Sequence, residues 1–130
     1  MTGEAQLLEA YQDWRRLAEL EGEAIRTRDW KLVVDCQKKL SVLQSHISRF
    51  TNQAREEWRR GGVDLAPKEI HLHQTISSLI ELETQNSSSL AAAKEDARAH
   101  LAQAEVIRQN LKRVQRSYSP TGPAVWNSFS

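Results

Sequence analysis

The sequence is short of the residues that interrupt helices. Among 130 residues there are five Gly and three Pro, and most of them cluster, as Gly61-Gly62 with Pro67 and as Pro120, Gly122 and Pro123. Inside a helix a Pro costs about 3 kcal/mol and a Gly about 1, so the long intervals free of both suit long helices. A sheet protein of this length needs turn signals every ~8–12 residues, and they are missing. Cys36 is the only cysteine, which excludes an internal disulfide and implies a reducing, cytoplasmic location. An excess of either charge is missing too. Lys plus Arg (18) balances Asp plus Glu (17), leaving a net charge of +1, so no global field draws the chain onto nucleic acid or anionic lipid. No stretch approaches the ~18 uncharged apolar residues of a membrane span. Met1 to Ala10 shows no basic region followed by an apolar run, so no secretory signal is read there.

The signatures of catalysis are absent as well. His71 and His73 are two apart and fall on different sides of a helix. No Cys-x-x-Cys or His-x-x-x-His spacing occurs with His46, His100 or Cys36, so no metal site is expected. Cys36 lies on an apolar stripe, where a thiol is ordinarily buried and inert. There is no glycine-rich phosphate loop and no Gly-x-Ser-x-Gly elbow. The expectation is a protein that is not an enzyme and needs no cofactor.

What is present is helical periodicity on a single-domain scale, with 39% hydrophobic and 27% charged residues. In a first stretch, about 4–28, Leu7, Tyr11, Trp14, Ala18 and Ile25 share a stripe that Glu21 interrupts, and Gly22 weakens the helix without ending it. Asp29 then reads as an N-cap, because its carboxylate can accept from backbone N–H groups two or three residues on. In the stretch it opens, 30–60, Val33, Cys36, Leu40, Leu43, Ile47, Phe50 and Ala54 alternate steps of three and four. Such a repeat keeps one face toward a partner helix in a left-handed supercoil. Arg59-Arg60-Gly61-Gly62 reads as a stop, with glycine supplying a left-handed cap. Pro67 reads as a first-turn residue of the next helix.

From 67 to 118 no Gly or Pro appears. Ile76, Leu79, Leu90, Ala93, Ala97, Leu101, Ala104, Ile107, Leu111, Val114 and Tyr118 continue the repeat, while Glu83 and Asn86 occupy stripe positions. Two outcomes stay open: one helix of about 75 Å, or a kink or break at Gln85-Asn86-Ser87-Ser88-Ser89, a run of poor helix formers. Short links force consecutive helices back on one another. The expected architecture is therefore all-α: an elongated antiparallel bundle of three long helices over 1–118, with the third reaching beyond the others. Residues 119–130 form an extended or mobile tail carrying Val125, Trp126 and Phe129, of which the last two could fill a groove. Trp14, Trp30 and Trp58 read as core or end-packing residues. An apolar stripe reaching past its partners has to be covered by another copy or by a different protein.

Arg108, Lys112 and Arg116, spaced by four, form with Arg113 a positive ridge beside that stripe. One reading is dipole complementation at a helix end; the other is an electrostatic rim for an acidic partner. Nucleic acid fits less well, because no aromatics are interleaved.

Four features carry a family resemblance. An amphipathic first helix contains Leu7-Leu8 and is followed by the link Arg26-Thr27-Arg28-Asp29-Trp30. A heptad helix comes next. The segment Ile80-x-x-Glu83-x-x-Asn86-x-x-Ser89-Leu90 leads into the last helix, and Tyr118-Ser119-Pro120-Thr121-Gly122 ends it. In these the chain resembles the FlgN-type flagellar export chaperones of bacterial type III secretion, departing from them at Ser87-Ser88-Ser89 and at Ser119. The resemblance implies a cytoplasmic chaperone that holds the C-terminal amphipathic helix of hook-filament junction proteins before export. It would do so through Leu90, Ala93, Ala97, Leu101, Ala104, Ile107, Leu111, Val114 and Tyr118, in helix-in-groove fashion. The same residues could instead pack on the first two helices. The alternatives are a self-associating coiled-coil adaptor, homodimeric in the simplest case, and a FliT-like chaperone for other flagellar substrates.

Overall fold

The computed structural model describes residues 2–118; the tail, with Trp126 and Phe129, lies outside the described residues. Three α-helices account for nearly all of them: α1 (Gly3–Thr27), α2 (Trp30–Arg60) and α3 (Leu65–Tyr118). The fold is an all-α helical bundle, and no strand occurs among the described residues.

Each helix starts where a side chain can replace a missing backbone partner. The Thr2 hydroxyl accepts from the Ala5 N–H at 3.1 Å, and the Asp29 carboxylate accepts from the Leu32 N–H at 3.2 Å. Asp64 accepts from the Ala66 N–H at 3.2 Å, so α3 starts at Leu65 with Pro67 inside its first turn. The link between α1 and α2 is only Arg28 and Asp29. Its reversal needs one left-handed residue, and Arg28 takes that conformation at φ 62°. At the end of α2, Gly61 stays right-handed and Gly62, at φ 67°, makes the left-handed turn. The Val63 N–H then donates to the Trp58 carbonyl at 2.9 Å.

The chain divides into two units, Met1–Ala91 and Ala92–Ser130. In the first, α1 and α2 pack antiparallel, and α3 runs antiparallel to α2 as far as residue 91. The pairs Arg55–Glu69 and Gln44–Glu83 mark the second of these relations. Where α1 crosses the end of α2 the backbones nearly touch. A Cβ on Gly3 would lie 2.9 Å from the Ala54 nitrogen, so only glycine fits there. The core joins Leu7, Tyr11, Trp14 and Ala18 to Leu40, Ile47, Ala54 and Trp58 and to Leu72 and Leu79. A smaller cluster of Ala24, Ile25 and Val33, flanked by Leu32 and Leu90, closes the end near the α1–α2 link. Cys36 is buried, and burial pushes its thiol pKa up. Trp14 and Trp58 are core residues as expected, but Trp30 is exposed, because it opens α2 on the outer face of the turn.

The stripe positions occupied by Glu21, Glu83 and Asn86 do not break the helices. Asn86 and Glu21 are buried together. The Asn86 amide donates to the Ala18 carbonyl at 2.7 Å and to Glu21 Oε1 at 3.0 Å. Gly22 makes the space, since a Cβ there would stand 2.9 Å from Asn86 Oδ1. Trp14 Nε1 donates to Glu83 Oε1 at 3.0 Å, and Gln44 Nε2 donates to Glu83 Oε2 at 3.4 Å. Of the two outcomes left open for α3, the unbroken helix is the observed one: α3 passes through 85–89 without a break. Asn86 reaches across the core rather than competing for its own backbone, which removes the usual reason for a break.

In the second unit, α3 continues from Ala92 to Tyr118. From Lys94 to Ser117 every side chain is exposed except Gln115, which is half-buried.

Candidate partner-binding face

The nine stripe residues expected to receive a partner fall into three groups. Leu90 is half-buried and packs against the small cluster of the first unit, and Ala93 is buried. Ala97, Leu101, Ala104, Ile107, Leu111 and Val114 lie on the exposed part of α3. Leu101 is 73% exposed, Leu111 58%, Ile107 53% and Val114 48%. The side chain of Tyr118 lies outside the described residues. The expected groove is therefore a face: one helical stripe, with no second helix as a wall among the described residues.

Local sequence makes this face. From Lys94 to Ser117 neither Gly nor Pro occurs, and helix-favouring Ala, Glu, Gln, Arg and Lys fill many of the positions around the stripe. Ion pairs one turn apart brace it: Arg98 holds Glu95 at 2.6 Å, and Arg108 holds Glu105 at 2.7 Å. These guanidinium groups keep the Glu95 and Glu105 carboxyls below their ordinary values. All four groups are well exposed, so the pairs stiffen the helix slightly and contribute little else.

The positive ridge is placed as the four-residue spacing requires. Arg108, Lys112, Arg113 and Arg116 are all exposed, and Arg108 is engaged by Glu105. The remaining charge is concentrated toward the helix C-terminus, where the dipole favours it.

One feature of the first unit was not legible in the repeat. A shallow apolar groove between α1 and α2 is lined by Leu17, Val42 and Leu43, with Arg16, Lys38 and His46 at its edge. Val42 lies off the heptad stripe and is more than half exposed. Its position beside Leu43 was the available clue.

Among the described residues no group of three or more His, Cys, Asp or Glu is placed to hold a metal ion, and no helix is long and apolar enough to cross a membrane. Compared with protein-family models, with curated proteins and with solved structures, the chain matches none.

Proposed function

We propose that this chain binds an amphipathic helix of a client protein on the exposed face of α3, between Ala97 and Val114, as a FlgN-type export chaperone would. The observation that carries the reading is the exposure of Leu101, Ile107, Leu111 and Val114 on one stripe of a continuous helix. A surface of this kind favours a partner with a matching apolar stripe.

Magnitudes suit a holding function. Four aliphatic side chains at ~1.5–3 kcal/mol each when fully buried give roughly 6–12 kcal/mol, against an association cost of about 4 kcal/mol or more. The surplus corresponds to binding from about micromolar to weaker than millimolar, which lets a client be held and then released. Ala97 and Ala104 let a guest helix approach closely. The ridge of Lys112, Arg113 and Arg116 favours a client with acids flanking its apolar stripe, chiefly by speeding encounter. By the family resemblance, the client is the C-terminal helix of a flagellar hook-filament junction protein, met in the cytoplasm before export.

Titration of the purified protein with such a junction protein, whole and lacking its C-terminal helix, tests the reading. Binding should require that helix and should be abolished by Leu101→Asp or Leu111→Asp, because a carboxylate buried without a partner is heavily penalised. Neither change should lower the melting temperature, since both positions are exposed. Absence of binding to the intact junction protein would sink the proposal.

A further inference from the structure

The exposed face of α3 has an internal asymmetry. Along its seven-residue repeat, the first half presents Ala97, His100 and Ala104, and the second half presents Ile107, Leu111 and Val114. Small or polar residues therefore occupy one half and large aliphatic ones the other. Charge is divided in the same way. Residues 94–105 carry two bases and three acids, whereas residues 106–117 carry four bases and no acid.

We infer that this face pairs with the same face of a second copy, antiparallel, about a two-fold axis between Ala104 and Ile107. In that register Ala97 meets the second copy's Val114, His100 meets its Leu111, and Ala104 meets its Ile107. Each contact sets a small or polar residue against a large one, and the two-fold repeats all three. Leu101 stands one position off the strict repeat and is the most exposed aliphatic of the face. It falls beside the second copy's Arg108, whose aliphatic stem can cover it. Gln103 falls beside the second copy's Asn110, so no like charges are forced together at the rim.

A parallel pair is much poorer. It stacks Ala97 on Ala97 and Ala104 on Ala104, leaving gaps that neighbouring leucines cannot close. It also brings Arg108, Lys112, Arg113 and Arg116 of both copies to one end, where like charges repel. The antiparallel pair separates the two basic ends and sets each against the half that holds Glu95 and Asp96. The contact is self-complementary, as a two-fold interface requires. It extends over about 24 residues, or roughly 36 Å of helix. With two alanines per copy in the seam it is a thin interface, so the association is reversible. A second copy and a client helix compete for the same residues, and the dimer keeps the face covered until a client displaces it.

The test uses the full chain in two single variants, Ala97→Cys and Val114→Cys, mixed under a mild oxidant. Both sites are exposed, so neither change disturbs folding, and Cys36 is buried away from the reaction. The mixture should give a disulfide-linked dimer and each variant alone should not. Sedimentation of the unmodified protein should show its mass rising toward that of a dimer with concentration. Cross-linking of Val114→Cys with itself would indicate parallel pairing and overturn the inference. So would a monomeric mass at every concentration together with no cross-link in the mixture. The client reading fails separately: a monomer that still takes up a junction-protein helix overturns only the dimer, and a dimer that binds no such helix overturns only the client.

Discussion

Two parts of α3 share one periodicity and meet different fates. Between residues 65 and 91, Leu72, Leu79 and Asn86 lie seven apart and are all buried. Past Ala93 the same seven-residue step falls on His100, Ile107 and Val114, and all three are exposed. Periodicity therefore selects which face of a helix is apolar, while supply decides whether that face is covered. Helix α3 has 54 residues against 25 in α1 and 31 in α2, so it is much longer than either of the helices that could cover its stripe. Composition follows. The buried part carries partners of fixed identity, Glu83 for Trp14 and Asn86 for Glu21, whereas the exposed part is diluted with alanine.

Substitution of matched leucines gives the largest contrast. Leu79 is fully buried and Leu111 is more than half exposed. Leu79→Ala should lower the unfolding free energy by about 2–5 kcal/mol, through lost burial and the cavity left behind. Leu111→Ala should change it by no more than about 0.5 kcal/mol. Urea denaturation of both variants measures this directly. Equal losses would mean that the second part of α3 is covered within the chain after all.

The polar layer comes next. Asn86→Ala removes the donor to both the Ala18 carbonyl and Glu21, leaving a buried carboxyl and a buried carbonyl without that partner. The expected cost is about 1–3 kcal/mol, again read from the denaturation midpoint. Glu21 also gives the layer a pH dependence. Burial raises its pKa, the Asn86 hydrogen bond offsets part of the rise, and the charge of Glu83 adds to it. A carboxyl with a raised folded-state pKa holds its proton more tightly in the folded than in the unfolded protein. Its contribution to stability is therefore lost as pH rises from the ordinary glutamate value through the raised one. Glu4 works in the opposite direction. The hydrogen bonds from Lys68 and Trp58 lower its pKa, so its contribution is lost as pH falls through that lowered value. Glu21→Gln should flatten the decline on the side above the ordinary glutamate value and leave the acid-side loss in place. A stability profile across acid to neutral pH that keeps its shape after the substitution would contradict this.

The contrast between the two parts of α3 also marks what could be read from the residues alone. Helix class, the α2 boundaries and the Asp29 cap follow from short-range rules, and each is observed. Glu21, Glu83 and Asn86 stood out as interruptions of a stripe, but their pairing did not. Asn86 meets Glu21 across 65 residues, and that register depends on how α1, α2 and α3 pack together. The choice between a continuous helix and a break at 85–89 stayed open for the same reason, since local propensity has no knowledge of a partner for Asn86 on another helix. Leu90 and Ala93 were grouped with the exposed stripe because a repeat carries no mark at the residue where cover runs out. The left-handed Arg28 was also hidden, because a two-residue link sets its conformation rather than its own preference.

The smallest contrast concerns ion pairs. Arg55 grips Glu69 with two hydrogen bonds, at 2.6 and 2.9 Å, and so ties α2 to α3. Arg98 grips Glu95 just as closely, but within one turn of α3. The first pair joins groups far apart in the unfolded chain, whereas the second joins groups that stay neighbours when the protein unfolds. Both are well exposed, so solvent screens each of them. Arg55→Met should therefore lower the melting temperature slightly at low salt and less at high salt, while Arg98→Met should leave it unchanged at either. Thermal unfolding of the two variants at two salt concentrations resolves the difference. A salt-independent loss for Arg55→Met would instead assign its effect to the packing of the arginine stem between α2 and α3.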